Sequence, residues 1–272
     1  SVLTPQEADE VLGHVREFAR SGQCTVLIIT HKFREVMAYA DAVTVLRRGK
    51  AVHHCKVADT RPGLLAAAMM GESAEDAPAA ASETNRPPAP VDAAQGAIKN
   101  VATGWPALQV EQLDAMGDRG TLAVSGISLA VQPGEILGVA GVSGNGQREL
   151  VEALVGQRPR LAGRVTVNGE AYGARREENR RLKVRSLPEE PLRNACVGDL
   201  SVAENMALRD FDQPPLSSGS GPASLLNFGV WRSRARQWIA EYGVKTQGEG
   251  APIRSLSGGN VQRAVLAREL AG

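Results

Sequence analysis

The stretch "GVSGNGQREL" at residues 141–150 decides how the rest of the chain is read. It follows "ILGVA" (136–140), a short apolar run that fits a buried strand. Behind it, Leu150, Val151, Leu154 and Val155 make a helix. Strand, glycine loop and helix together are the setting a phosphate cradle requires. Gly141, Gly144 and Gly146 let the backbone turn tightly, so that several N–H groups of the loop point at one anion beside a helix N-terminus. Two side chains depart from the usual pattern. Gln147 stands where such loops carry Lys, and Arg148 where they carry Ser or Thr. A hydrogen bond with one charged partner is worth roughly 1.5–3 kcal/mol, so a neutral amide weakens phosphate binding about ten- to a hundredfold. Arg148 cannot ligate a metal cation, and its side chain leaves the helix in another direction. Three readings stay open on the loop alone: a nucleotide site, a degenerate one, or a glycine-rich turn without a ligand.

Outward from the loop, the surrounding sequence reads as α/β. "GTLAVSGISLAVQPGE" (120–135) suggests two strands joined to a Pro-Gly turn, and "GRVTVNGEAY" (163–172) a hairpin turning at Asn168-Gly169. From about 200 to 255 the pattern is helical and loop-broken, with "PPLSSGSGPAS" (214–224) as a flexible interruption. "RSLSGGNVQRAVLAREL" (254–270) then puts Ser257 and two glycines at the start of an amphipathic helix carrying Val261, Val265, Leu266 and Leu270. That is a second anion-binding arrangement, or simply a Ser-capped helix.

Residues 1–71 are also α/β. Thr4-Pro5-Gln6-Glu7 starts a helix that Ser21-Gly22 ends. "TVLIIT" (25–30) fits a strand buried on both faces, His31 follows at once, and Phe33, Val36, Met37 and Ala40 mark a second helix. "AVTVLRRGKAVHH" (42–54) reads as a hairpin turning near Arg48-Gly49-Lys50. Residues 72–106 are rich in Ala and Pro and read as a linker.

The glycine loop followed some 110 residues later by LSGGNVQR resembles the nucleotide-binding domain of ABC transporters. Residues 1–71 resemble the end of a first such domain, entered after its Walker B strand, and 107–272 the opening of a second, cut before its own. The similarity is strongest to the fused two-domain ATPase subunits of importers for simple sugars and nucleosides, whose second loop often reads G-x-x-G-N-G-Q. The resemblance implies two partial P-loop domains joined by the linker, the second with a helical subdomain, in an incomplete fragment. It implies ATP and Mg²⁺ as cofactors. It places the nucleotide at Gly141, Ser143, Gly144, Asn145, Gly146, Gln147 and Arg148. It makes Leu256, Ser257, Gly258, Gly259, Asn260 and Gln262 the signature, His31 the catalytic switch histidine, and Glu189 of "LPEEP" the Q-loop residue or a solvated strand end. Implied partners are transmembrane permease subunits and, indirectly, an extracytoplasmic solute-binding protein, at the cytoplasmic face of the membrane. Arg148 and Val261 depart from the subgroup, and no aromatic lies between Leu108 and Gly126 to stack on adenine, Trp105 being at the linker's edge. The expectation is a degenerate loop at 141–148, with hydrolysis at the other composite site and none from this chain alone. A soluble ABC protein acting on ribosomes or DNA is the alternative.

Composition narrows the remaining classes. A net charge of +1 offers no electrostatic case for nucleic acid. Three widely spaced cysteines, Cys24, Cys55 and Cys196, fit buried thiols in a reducing compartment. No apolar run reaches the ~18 residues a bilayer span needs, and no signal peptide is visible. The start at Ser1, inside apparent structure, is expected for a piece of a longer protein. His53 and His54 are neighbours on a strand and face opposite ways, so no metal site is expected there. The basic "ARREENRRLKVR" (174–185) reads as a solvated helix face.

Overall fold

The computed structural model describes residues 5–70, 104–219 and 224–271. The expected linker at 72–106 lies outside the described residues except for 104–106, and so does the Thr4 cap. The chain divides into two compact units, Leu12–Val184 and Ser1–Val11 with Arg185–Gly272.

The first of these contains two sheets. One is four-stranded. Its centre is β6 (Ile136–Ala140), buried at every residue and parallel to both neighbours, β1 (Val26–Thr30) and β2 (Ala42–Arg47). β3 (Lys50–Lys56) returns antiparallel along β2. Helices α2 (Phe33–Tyr39) and α3 (Pro62–Met70) pack through Val36, Leu65 and Met69 onto Val43, Val45, Ile136 and Ala140. α1 (Pro5–Arg20) ends in a left-handed Gly22, whose N–H reaches the Ala19 carbonyl. Strands from both sides of 72–106 therefore share one sheet and one hydrophobic core: the linker position does not separate two cores among the described residues.

This arrangement alters one expectation. Continuous burial on both faces holds for 136–140 but not for 26–30. β1 lies at the sheet edge with every residue half-buried, because it has a paired neighbour on one side only.

The second sheet runs β5-β4-β7-β8 and is antiparallel throughout. β4 (Leu108–Met116) and β5 (Leu122–Val131) enclose Val110, Leu113, Val124 and Ile127 with Leu46, Val139, Leu150 and Leu154. The two strands expected in 120–135 are one strand with a bulge. Gly126 takes φ +61 and its N–H donates to the Asp114 carboxylate at 2.6 Å, which absorbs the extra residue without ending the ladder. β7 (Ala162–Val167) and β8 (Glu170–Ala171) form the expected hairpin, with Asn168 and Gly169 both at positive φ. α4 (Gln147–Val155) follows the loop, and α5 (Arg176–Arg181) has no fully buried residue, with Glu178 and Asn179 half-buried.

The other unit is helical. α6 (Pro191–Asn194), α7 (Val202–Ala207), α8 (Phe228–Glu241) and α9 (Gly258–Leu270) bury Val202, Met206, Ala235, Trp238, Ile253, Val261 and Ala264 together. α7 starts with a capping box: the Glu204 N–H donates to the Ser201 hydroxyl, and the Glu204 carboxylate accepts from the Ser201 N–H. The interruption expected at 214–224 is packed at its start. Leu216 and Ser217 are buried, and the Trp231 indole N–H donates to the Leu216 carbonyl at 2.8 Å. Residues 220–223 lie outside the described residues.

Candidate functional site

β6 delivers the chain into the loop with its backbone fully committed to two parallel neighbours, so Gly141 leaves the sheet in a fixed direction. A Cβ at Gly141 would meet the Leu46 carbonyl oxygen at 2.7 Å and, closer still, the Gln147 amide. Only glycine fits there. Gly144 and Gly146 take φ +86 and +97, where the absent Cβ removes the left-handed penalty.

The loop is closed by its own side chains. Gln147 is buried, and its amide turns back into the loop. Nε2 donates to the Val142 carbonyl and Oε1 accepts the Asn145 N–H, both at 3.0 Å. That N–H is one a phosphate cradle would present to its anion. Asn145 in turn holds the β2–β3 turn. Its side-chain oxygen accepts the Arg48 N–H at 2.8 Å, and its carbonyl accepts the Gly49 N–H at 3.0 Å. The Gly49 carbonyl accepts from Ser125, tying the turn to β5 as well.

Arg148 does not restore the missing charge. Its guanidinium pairs with Asp118 in the β4–β5 turn and with Glu152 one helical turn on, at 2.9 Å. Arg158 grips the same two carboxylates at 2.6 Å each. Bonds from Arg158 and then Arg148 hold the Asp118 carboxyl below its ordinary range, and Asp118 keeps Arg148 firmly charged in return. Sequence reasoning placed the Arg48-Gly49 turn but missed Asp118 and the contact of that turn with the loop. An acid in a turn between arginines carries no periodic signal, and the Arg48–Asn145 contact joins residues 97 apart.

His31 comes to the same end of the sheet. Thr30 is level with Ala140 in the parallel register, so His31 and Gly141 leave adjacent strands side by side. The structure thus brings together His31 and the loop at 141–148. Trp105 is 61% exposed, its ring over Gly169 of the β7–β8 turn. A divalent cation does not fit at the loop's last two positions: the Gln147 oxygen is taken by a backbone N–H, and Arg148 offers none. Among the described residues no group of three His, Cys, Asp or Glu side chains is placed to hold a metal. His54 instead bonds Thr44 at 2.9 Å across the hairpin.

The helical unit carries the other candidates. Glu189 lies in an exposed bend before α6, not at a strand end. Ser257 is the N-cap residue of α9 and is exposed, while Gly259 is buried against the helical core. Leu256 packs at the edge of that core, and Gln262 is half-buried on α9. Asn260 donates from Nδ2 to the Ser257 hydroxyl and accepts the Lys245 N–H at Oδ1, both at 2.8 Å.

Residues 124–272, which hold both the loop and the LSGG helix, match the ABC transporter family. The chain belongs to that family. Its mixed α/β architecture is accordingly that of the ABC phosphate-loop ATPases. This ABC chain is 35% identical over 271 residues to the Nucleoside import ATP-binding protein NupA of Lactococcus lactis, covering 99% of the chain and 49% of that protein. It is 35% identical over 273 residues to the Glucose import ATP-binding protein TsgD13 of Haloferax volcanii, covering 99% and 46%. It is 32% identical over 271 residues to the Guanosine import ATP-binding protein NupO of Bacillus subtilis, covering 99% and 49%. The chain spans about half the length of these curated ABC relatives. Among the described residues no helix is long and apolar enough to cross a membrane.

Proposed function

We propose that the chain is part of an ATP-binding subunit that powers import of a sugar or nucleoside through an ABC transporter, and that its loop at 141–148 is a degenerate nucleotide site. Residues 1–71 would correspond to the end of one ATPase domain, 72–106 to a linker and 107–272 to the start of a second, with strands from the two segments completing one sheet in this chain. The subunit would sit peripherally on permease subunits at the cytoplasmic membrane face, supplied with solute by an extracytoplasmic binding protein. Support for the import role comes from the names of the relatives. Support for degeneracy comes from one observation above the rest: the buried Gln147 amide already occupies the Asn145 N–H and the Val142 carbonyl inside the loop. A phosphate entering there must displace a buried side chain, and Arg148 is not free to neutralise it, because Asp118 and Glu152 hold it. The loop therefore binds ATP weakly and does not hydrolyse it.

In this reading the productive site is composite. Ser257, Gly258 and Gly259 present a hydroxyl and helix-terminal N–H groups to the terminal phosphate of an ATP held on another loop, with Leu256, Asn260 and Gln262 supporting them. His31 would orient the attacking water, Glu189 would sense the terminal phosphate, and Mg²⁺ would neutralise charge on the phosphates. The purified chain is expected to release no phosphate from ATP above background, and sustained release from a contaminant-free preparation would refute the degenerate reading. The complete polypeptide carrying this sequence should co-purify with an integral membrane permease; recovery with ribosomes instead would refute the import role.

A further inference from the structure

We propose that Asn260 is a positioning residue that turns the Ser257 hydroxyl outward as a hydrogen-bond donor to a phosphoryl oxygen. The proposal rests on the reading that residues 256–260 engage ATP. A serine at a helix N-cap ordinarily spends its oxygen on an N–H of the first turn. Ser257 makes no such bond. Its oxygen instead accepts from Asn260 Nδ2 at 2.8 Å. An amide side chain can be built either way round, but here its environment decides. The Lys245 N–H can only donate, and it points at the other end of the amide at 2.8 Å, so that end is the oxygen. The NH₂ group must therefore face Ser257. Val244 is buried in the helical core beside Lys245, which fixes the N–H that fixes the amide.

The consequence concerns a single proton. With Asn260 seated on one lone pair and no cap bond made, the Ser257 hydroxyl keeps its own hydrogen free to give. Ser257 is exposed, so the acceptor comes from outside the chain. An anionic phosphoryl oxygen is the acceptor the composite site supplies, and a hydrogen bond to it is of the stronger, charge-assisted kind. Because the amide holds the hydroxyl off the cap, it also leaves the first-turn N–H groups of α9 uncovered by Ser257.

The test uses the complete polypeptide carrying this sequence, assembled with its permease in lipid vesicles, and reads kcat and KM for ATP hydrolysis together with the melting temperature. Ser257→Ala is expected to lower kcat/KM. Asn260→Ala should lower it about fivefold, the factor one neutral hydrogen bond is worth, with a melting temperature lowered only by the loss of the Lys245 bond and the chain still folded at the assay temperature. Asn260→Asp should lower it further, because a carboxylate accepts the Ser257 proton and turns it inward. The double Ser257→Ala/Asn260→Ala variant should be no slower than Ser257→Ala alone. A defect in Ser257→Ala with wild-type kinetics in Asn260→Ala overturns the positioning role alone, and so does a double variant whose losses multiply. Wild-type kinetics in Ser257→Ala overturns the site reading itself, and the positioning role with it.

Discussion

Gly49→Ala is the most direct probe of how strands on either side of 72–106 come together. Gly49 sits at the tip of the β2–β3 turn with φ +76, and a Cβ there would lie 2.9 Å from the Ala123 carbonyl carbon and nearer still to its oxygen. Two costs follow. The left-handed backbone costs an alanine roughly 1–2 kcal/mol. Forcing a methyl group against fixed backbone adds the penalty of overpacking, about 1–3 kcal/mol. The neighbours cannot yield cheaply, because Gly49 and Ser125 are tied by a backbone hydrogen bond, and Gly146 crowds the same Ala123 carbonyl. Gly49→Ala is therefore expected to lose roughly 2–5 kcal/mol in all. Gly22→Ala is the matched control: φ is +75, and its Cβ would meet nothing within 4 Å. It should lose only the conformational part, about 1–2 kcal/mol. Equilibrium urea unfolding followed by circular dichroism measures both by linear extrapolation. If the two variants lose the same amount, Gly49 does not abut β5, and the shared sheet is refuted.

Gln147→Lys should raise the affinity of the chain for ATP about ten- to a hundredfold in calorimetric titration, by supplying charge and releasing the loop's internal bonds; unchanged affinity would show that Gln147 is not what weakens the site. Trp231→Phe removes the indole donor while the Leu216 carbonyl keeps the Asn227 N–H, so thermal unfolding should report a loss of about 0.5–1.5 kcal/mol, and a loss confined to the error would refute that bond. The Glu204 carboxyl is held below its ordinary value, first by the Ser201 hydroxyl and then by the Ser201 N–H. A carboxyl depressed on folding stabilises fully above its unfolded value and loses that contribution as the pH falls through the folded one. The stability gap between wild type and Glu204→Gln should thus be present at about pH 7 and shrink towards about pH 3; a gap independent of pH would refute the cap's ionic character.

Much of the architecture was legible locally. The apolar run at 136–140, the glycines after it and the helix behind them are set by near neighbours, and all appear where the residue pattern puts them. The turns at Arg48-Gly49 and Asn168-Gly169 follow from residues that tolerate positive φ, and α9 begins at Gly258 after a serine suited to its cap. What local pattern cannot specify is a partner. β-Branched residues in 26–30 and 42–47 say that these segments are strands, not that both flank β6, because strand pairing is decided by whichever non-local packing buries most apolar surface. The same limit applies at the site. Glycine spacing marks a loop able to hold an anion, while its closure by Gln147, the capture of Arg148 by Asp118 and the release of Ser257 from its cap by Asn260 depend on side-chain directions. Backbone propensity acts over a few residues and is written into the sequence. The orientation of a polar group is settled only when the folded chain offers it the one partner of opposite role within reach.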